Sequence, residues 1–100
     1  MIYITQLIYI NQGQEAQFDQ FESVAIPIIS RYNGRLLFRL RPAPDHYIEA
    51  TIDHPYEIHL VTFDNEADFE AFKADKERDQ VLHLKNASVK KIVLVKGVAL

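Results

Sequence analysis

The stretch MIYITQLIYINQGQEAQFDQFE, residues 1–22, predicts a β-strand that passes through a short turn into an amphipathic helix. Residues 1–10 are rich in β-branched and aromatic side chains, which favour strands. One face of this strand carries Ile2, Ile4, Gln6, Ile8 and Ile10, and the other carries Tyr3, Thr5, Leu7 and Tyr9. Both faces are mostly apolar, whereas a strand with one face in water alternates between apolar and polar residues.

The segments that follow are predicted from the spacing of their apolar residues. Residues 14–32 form a helix with an apolar stripe, and Pro27 is expected to kink or split it. Strands are predicted at 35–41, 56–64 and 89–98, and a second helix at 66–84 with a break near Asp75. The connection 42–55 is long, and its middle, residues 47–52, is expected to extend the hairpin as extra strand.

This order, β-α-β-β-α-β, predicts a ferredoxin-like α+β fold with a four-stranded antiparallel sheet. The length of 100 residues predicts a single domain over 1–100. The net charge of −3 argues against a nucleic-acid partner, and no stretch has the ~20 apolar residues of a membrane span. The chain has no cysteine, which excludes disulfides and thiolate chemistry, and we expect a cytoplasmic protein without a signal peptide.

The second apolar face of the predicted sheet indicates a protein partner. Two helices can cover only one face of a four-stranded sheet, so residues such as Leu7, Val61 and Ile92, or their alternates, would remain in contact with water. A contiguous apolar patch is unusual on a soluble monomer. We therefore expect a homodimer in which two sheets pack face to face about a two-fold axis.

Three stretches carry a resemblance to a known group of proteins: the opening residues 1–22, ISRYNGRLLFRLRP at 29–42, and PYEIHLVTFDNEADFEAFKADKER at 55–78. With them the chain resembles the dimeric α/β barrel superfamily, and within it small bacterial families of unknown function. More distant is the resemblance to cofactor-free monooxygenases of the antibiotic-biosynthesis type. The resemblance implies a dimeric α/β barrel with a ligand pocket between the helices and the sheet of each protomer, and fold alone does not decide its function.

Glu22, Arg39 and Arg41 are the charged candidates for that pocket. Glu22 lies close to the apolar stripe of the first helix, where a raised pKa would make it a base; the alternative is a rim carboxylate paired with an arginine. Arg39 and Arg41, on the same side of the second strand as Arg35, could hold an anionic or carbonyl ligand. Their alternative role is to protect an edge strand against aggregation.

His59, Tyr3 and Tyr9 are the remaining candidates. His59 lies in a strand between apolar neighbours and could act as a base or hydrogen-bond donor, or be a satisfied core histidine. Tyr3 and Tyr9 could line a pocket for a planar ligand, or lie in the core or the dimer interface. We thus assign Glu22, His59 and Arg39 as candidate catalytic residues, and Arg41, Tyr3 and Tyr9 as candidate ligand-binding residues.

No cofactor and no metal site is predicted. His46 and His54 lie in the long connection, next to Asp45 and Asp53 respectively. Neither neighbouring pair is a ready-made dyad, because adjacent side chains on an extended chain point in opposite directions. The three glycines are isolated, which excludes a glycine-rich phosphate loop, and the chain has no Gly-x-Ser-x-Gly motif. Residues 73–79 are interpreted as a solvated helix face with charges of mixed sign.

Three functions remain open from the sequence. The first is a protein of uncharacterised activity that binds a small organic ligand in the helix–sheet pocket. The second is a cofactor-free monooxygenase or isomerase acting on a small aromatic or carbonyl substrate. The third is a structural or regulatory dimer without chemistry.

Overall fold

The computed structural model describes residues 1–100 and has the predicted order of elements. Its bounds are β1 (Ile2–Ile10), α1 (Glu15–Ile28), β2 (Gly34–Leu40), β3 (Glu57–Phe63), α2 (Glu66–Lys73), α3 (Lys76–Gln80), α4 (Leu82–Ser88) and β4 (Val89–Gly97). The strands form one antiparallel sheet in the order β2-β3-β1-β4. The predicted α+β class with a ferredoxin-like fold is confirmed. None of the helices has the length and apolar character needed to cross a membrane.

Local sequence signals explain where the helices end. Helix α1 contains Pro27 and changes into a 3-10 helix at Ile29–Tyr32, so the predicted split falls just after the proline. Asn33 then adopts a left-handed conformation with φ 58°, which ends the helical segment. Asp75 divides the second helical region as predicted, because its Oδ1 accepts hydrogen bonds from the backbone N–H groups of Glu77 and Arg78.

Gly34 follows this turn at a point where backbone and core meet closely. A Cβ atom at this position would lie 2.6 Å from side-chain atoms of Ile29 and Phe63 and 2.9 Å from the carbonyl oxygen of Ile29. Real Cβ atoms do not approach this closely, so only glycine allows β2 to begin here without displacement of the core.

The connection 42–55 does not extend the hairpin, so that prediction is wrong. It contains a short 3-10 helix at Pro44–His46 and then irregular backbone. Side-chain contacts, and not the hydrogen bonds of a strand ladder, fix this connection. The rings of Tyr47 and His54 stack 3.9 Å apart, and the Tyr9 hydroxyl donates to the carbonyl of Asp53 at 2.7 Å.

Strand β2 contains a register shift that the sequence did not predict. Leu36 pairs with Val61, but Phe38 pairs with Leu60, so Leu37 is the extra residue of a bulge. Because the side-chain period of a strand is two, the bulge reverses the faces that follow it. The predicted alternation of β2, which places Arg35 on the same side as Arg39, is therefore wrong.

All helices pack on one side of the sheet, and the main core lies between the two layers. Its members share near-complete burial and come from both layers: Ile4, Ile28, Ile29, Val61, Phe63, Phe69 and Phe72. The molecule is consequently a slab of 36 × 36 × 16 Å, one sheet and one helical layer thick.

The other side of the sheet, the open face, has an apolar centre that no helix of the chain covers. Its centre consists of two cross-strand rows, Leu40-Ile58-Leu7-Val93 and Phe38-Leu60-Thr5-Val95. The edge residues of these rows, Phe38, Leu40, Val93 and Val95, are 41–55% exposed. Seven of these eight positions are apolar, as expected for a surface that another protein layer covers.

Candidate functional site

A cavity of about 270 Å³ lies between the helical layer and the sheet. Aromatic and aliphatic side chains make most of its wall, among them Phe18, Phe21, Phe63, Phe69 and Phe72. Six polar side chains complete it: Gln6, Glu22, His59, Lys73, Arg78 and Lys85. An apolar wall with a few convergent polar groups is the usual composition of a small-molecule site.

The sheet positions its polar groups in one cross-strand row beneath the helices. His59 on the central strand β3 pairs with Arg39 of β2 on one side and with Gln6 of β1 on the other. Directly paired residues point to the same face of a sheet, so all three lie on the helix-facing side. Glu22 reaches this row from α1, with a carboxylate oxygen within 4.8 Å of ligand atoms of both His59 and Glu57.

Glu57 is the anchor of this polar group, with only 1% of its surface exposed. Arg39 donates from Nε at 3.3 Å and from Nη2 at 3.0 Å, and Arg41 donates from Nε at 2.7 Å. His59 Nε2 also contacts this carboxylate. Burial alone would raise the pKa of Glu57, but the hydrogen bonds from His59 and Arg41 and the neighbouring positive charges outweigh it and lower the pKa from 4.5 to about 2.

The ionised Glu57 fixes the tautomer of His59. A carboxylate without a proton can only accept hydrogen bonds, so His59 Nε2 must carry the proton of this contact. In the neutral ring the lone pair is then on Nδ1. The histidine is 4% exposed, so Glu57 holds it in one orientation at the cavity wall.

Glu22 is in the opposite electrostatic situation. It is 8% exposed and takes part in none of the salt bridges of the structure. Burial raises the pKa of Glu22, the negative charge of Glu57 adds to the effect, and the charges of His59, Arg39 and Arg78 only partly oppose it. A carboxyl group with a raised pKa beside an apolar cavity is suited to proton transfer.

Glu22, Glu57 and His59 form the one cluster whose spacing would allow a metal ion. Two guanidinium groups already occupy the oxygens of Glu57, and Arg78 and Lys85 also line the cavity. A divalent cation would have to replace these contacts in a positively charged neighbourhood. The chemistry of the cluster therefore favours proton transfer and hydrogen bonding over cation binding.

The structure places four of the predicted site residues in two adjoining spaces. Glu22 and His59 line the cavity, as the sequence analysis proposed. Arg39 and Arg41 lie in an adjoining open groove and reach Glu57 from outside the cavity. Arg41 also pairs with Asp19 at 2.6 Å. The two arginines thus position Glu57 and do not touch the cavity space.

Three further predictions about side-chain placement need correction. Arg35 pairs with Thr62 and lies on the open face, so the bulge separates it from Arg39. Tyr3 also pairs with Thr62 and therefore faces away from the cavity. Tyr9 lies on that same side, with its hydroxyl bound to the loop and Lys91 above its ring. Neither tyrosine lines the helix–sheet cavity.

Sequence reasoning missed Glu57, Arg78 and Lys85. The signal for Glu57 was present, because a charge two residues before His59 on an otherwise apolar strand must share its face. Arg78 belongs to the stretch interpreted as a solvated face, yet it is partly buried against the rings of Phe21 and Phe72. That interpretation is wrong for Arg78.

No family model and no curated protein matches the chain. Solved structures of similar shape share 10–17% of its sequence. A protein of unknown function from Rhodopseudomonas palustris has a TM-score of 0.81 at 13% identity, over 99% of this chain and 82% of that one. An uncharacterized NIPSNAP domain protein from Burkholderia xenovorans has a TM-score of 0.73 at 15% identity, over 100% of this chain and 95% of that one.

A dabb family protein from Mesorhizobium loti, described as having a ferredoxin-like fold, has a TM-score of 0.67 at 17% identity. The match covers 99% of this chain and 96% of that one. These likenesses establish the ferredoxin-like fold. They agree with the predicted resemblance to small bacterial proteins of unknown function, and they assign no activity to this chain.

Proposed function

We propose that this chain is a homodimeric protein that binds a small organic ligand in the cavity between its helices and its sheet. The observation that carries the proposal is the cavity itself, an apolar space of about 270 Å³ with Glu22 and His59 in its wall. An apolar cavity of about 150 Å³ is sufficient for benzene, so this one accommodates a ring with a substituent. The cytoplasmic location predicted from the sequence stays a prediction.

The open face supports the homodimer. A second copy offers the same apolar rows, so two open faces are self-complementary about a two-fold axis. A standard interface buries about 800 Å² per partner, which a face of the 36 × 36 Å slab can supply. Light scattering should give a molar mass of twice 11.6 kDa at micromolar concentration; a mass of 11.6 kDa would contradict the dimer.

Ligand binding is tested by closing the cavity from within. Ala25 is 4% exposed and lines the cavity, so Ala25→Leu should fill part of it. A library of single-ring compounds is first screened for those that raise the melting temperature, since a ligand at 100 times its Kd adds about 2.7 kcal/mol of stability. Each such shift should be lost in Ala25→Leu.

The matched control for this experiment is Ala67→Leu, which makes the same change on the exposed surface of α2. It should leave the ligand-induced shifts unchanged. Shifts that persist in Ala25→Leu, or a library without any shift, would contradict binding in this cavity.

The second candidate function is that of a cofactor-free monooxygenase or isomerase. The buried Glu22, with its raised pKa, favours it, because such a carboxylate can take a proton from an acidic C–H or O–H group in the cavity. His59 would orient the substrate or accept its proton through the lone pair on Nδ1, and Arg39 would act through Glu57.

Oxygen uptake with hydroxylated aromatic compounds tests the monooxygenase, and solvent deuterium exchange at an acidic C–H group tests proton abstraction. Either activity should disappear in Glu22→Gln and fall in His59→Ala. Full activity in both variants would remove these residues from the mechanism.

A further inference from the structure

Arg78 and Lys85 line the cavity without a salt-bridge partner. Neither side chain takes part in any of the salt bridges of the structure. The side-chain hydrogen bond of Arg78 goes from Nη1 to the backbone carbonyl of Lys73 at 3.2 Å. Its Nε atom is buried and has no hydrogen-bond partner. Buried polar atoms nearly always have a hydrogen-bond partner, so an unpaired one is an exception. The Nε–H group of Arg78 is therefore available to a further acceptor.

Aromatic rings hold the Arg78 guanidinium at the cavity. Its central carbon lies 5.6 Å from the ring centre of Phe21 and 5.2 Å from that of Phe72. Such cation–π contacts orient the group without using its N–H donors. The arginine is therefore positioned beside apolar walls with donor capacity to spare, as required for an acidic head group attached to a ring.

Lys85 brings a second unpaired cation to the same space. Burial lowers its pKa, the nearby positive charge of Arg78 lowers it further, and the charge of Glu22 only partly opposes them. Burial lowers the pKa of Arg78 as well. Burying two cations that repel each other costs free energy, unless an anion lies between or beside them.

The local charge contrasts with that of the whole chain. The chain carries −3, but the charged groups that line the cavity are three cations, Lys73, Arg78 and Lys85, and one carboxylate, Glu22; of the cations, only Lys73 has a salt bridge, with Glu70. The negative charge of Glu22 is itself disfavoured by burial, and the charge of Glu57 is already balanced by two arginines. Positive charge is therefore in excess at the polar side of the cavity.

We infer that the ligand of this cavity is a small organic anion, a single ring or similar apolar body that bears a carboxylate bound by Arg78 and Lys85. The inference rests on the proposed ligand-binding function and names its ligand class. The guanidinium fork suits a carboxylate, and the lysine adds a point charge. The phenylalanine walls would receive the apolar part.

Isothermal titration calorimetry with phenylacetate and phenylacetamide at pH 7 tests the inference, because the two probes have similar size and differ in charge. Phenylacetate should bind about tenfold or more tightly than the amide, since hydrogen bonds to charged groups have the larger net strength. Arg78→Gln and Lys85→Gln should each weaken phenylacetate about tenfold and leave the amide nearly unchanged. Lys76→Gln, an exposed cation on the same helix as Arg78, is the matched control and should have no effect.

Two further measurements keep the outcomes distinct. Melting curves establish that each variant is folded, and Lys85→Arg should retain the preference for phenylacetate because it retains the charge. Equal binding of both probes, or preference for the amide, would overturn the anion inference and leave the cavity as a ligand site. If neither probe binds, the anion inference fails, whereas the ligand-binding proposal fails only if the library of single-ring compounds also gives no shift.

Discussion

Replacing Glu57 by glutamine tests the buried ionic cluster that fixes His59 at the cavity wall. The substitution keeps the shape of the side chain and removes its charge, while Arg39, Arg41 and His59 keep their positions around it. An amide has only one acceptor oxygen and brings a donor NH₂ towards groups that are themselves donors.

Two independent routes give the size of the effect. The fall of the Glu57 pKa from 4.5 to about 2 corresponds to about 3 kcal/mol of stability at pH 7. Breaking a buried ion pair on one side costs about 3–5 kcal/mol. Because the side chains of Arg39 and Arg41 are 35% and 44% exposed, water can solvate them, and the lower end of that range applies. We expect Glu57→Gln to lower the free energy of unfolding by about 3 kcal/mol at pH 7.

The pH dependence gives the sign of the effect. The folded-state pKa lies below the unfolded one, so the stabilisation is complete above about pH 4.5 and is lost as the pH falls towards 2. Urea unfolding at one fixed protein concentration measures the difference between wild type and variant as a shift in midpoint at constant slope. The difference should shrink to about half or less at pH 3.

Glu66→Gln is the matched control, because Glu66 makes an exposed salt bridge with Lys96 at 2.8 Å. It should not change stability measurably, since exposed ion pairs contribute little. A Glu57→Gln variant within about 0.5 kcal/mol of wild type at pH 7 would refute the reasoning, because that is the range of ordinary surface substitutions. A loss of the same size at pH 3 would refute the ionic origin of the effect.

Three more substitutions test other parts of the structure. Glu22→Gln should raise the melting temperature at pH 7, because burial raises the folded-state pKa of Glu22 and the wild type loses stability as the pH rises above 4.5. This gain should vanish at pH 4. A variant that is less stable than wild type at pH 7 would contradict the raised pKa. Gly34→Ala should lower the free energy of unfolding by about 1–3 kcal/mol through overpacking. Gly97→Ala, with open space around the glycine, should leave it nearly unchanged. Equal urea midpoints for the two variants would contradict the close approach at β2. Leu7→Glu, in the middle of the open face, should yield folded monomers by light scattering and circular dichroism; an unchanged dimer would place the interface elsewhere.

The fold could be predicted because its signals are local. Each signal spans only a few residues of the sequence: strands that are apolar on both faces, the apolar stripe of α1, and the polar stretch around Asp75. The bulge at Leu37 has no glycine or proline to mark it, and it arises from pairing with β3. A single unmarked residue therefore reversed the predicted faces of β2.

The site could be predicted only in part, for a related reason. The apolar stripe brings Glu22 to the sheet, and strand alternation brings His59 with it, so both were accessible from the sequence. Which face of β1 the helices cover is decided by tertiary packing, and this removed Tyr3 and Tyr9 from the cavity. Arg78 lies on a helix of five residues. Such a helix is too short for a periodic spacing of apolar residues to reveal which side is buried.

The most direct test of the cavity as a ligand site is a nuclear magnetic resonance titration of the labelled protein with phenylacetate. The methyl and aromatic signals of Ile4, Phe18, Phe21 and Phe72 report from the cavity, and those of Leu60 and Val95 report from the open face. Saturable shifts confined to the cavity residues are the predicted result. Shifts confined to the open face, or none at millimolar ligand, would contradict the account.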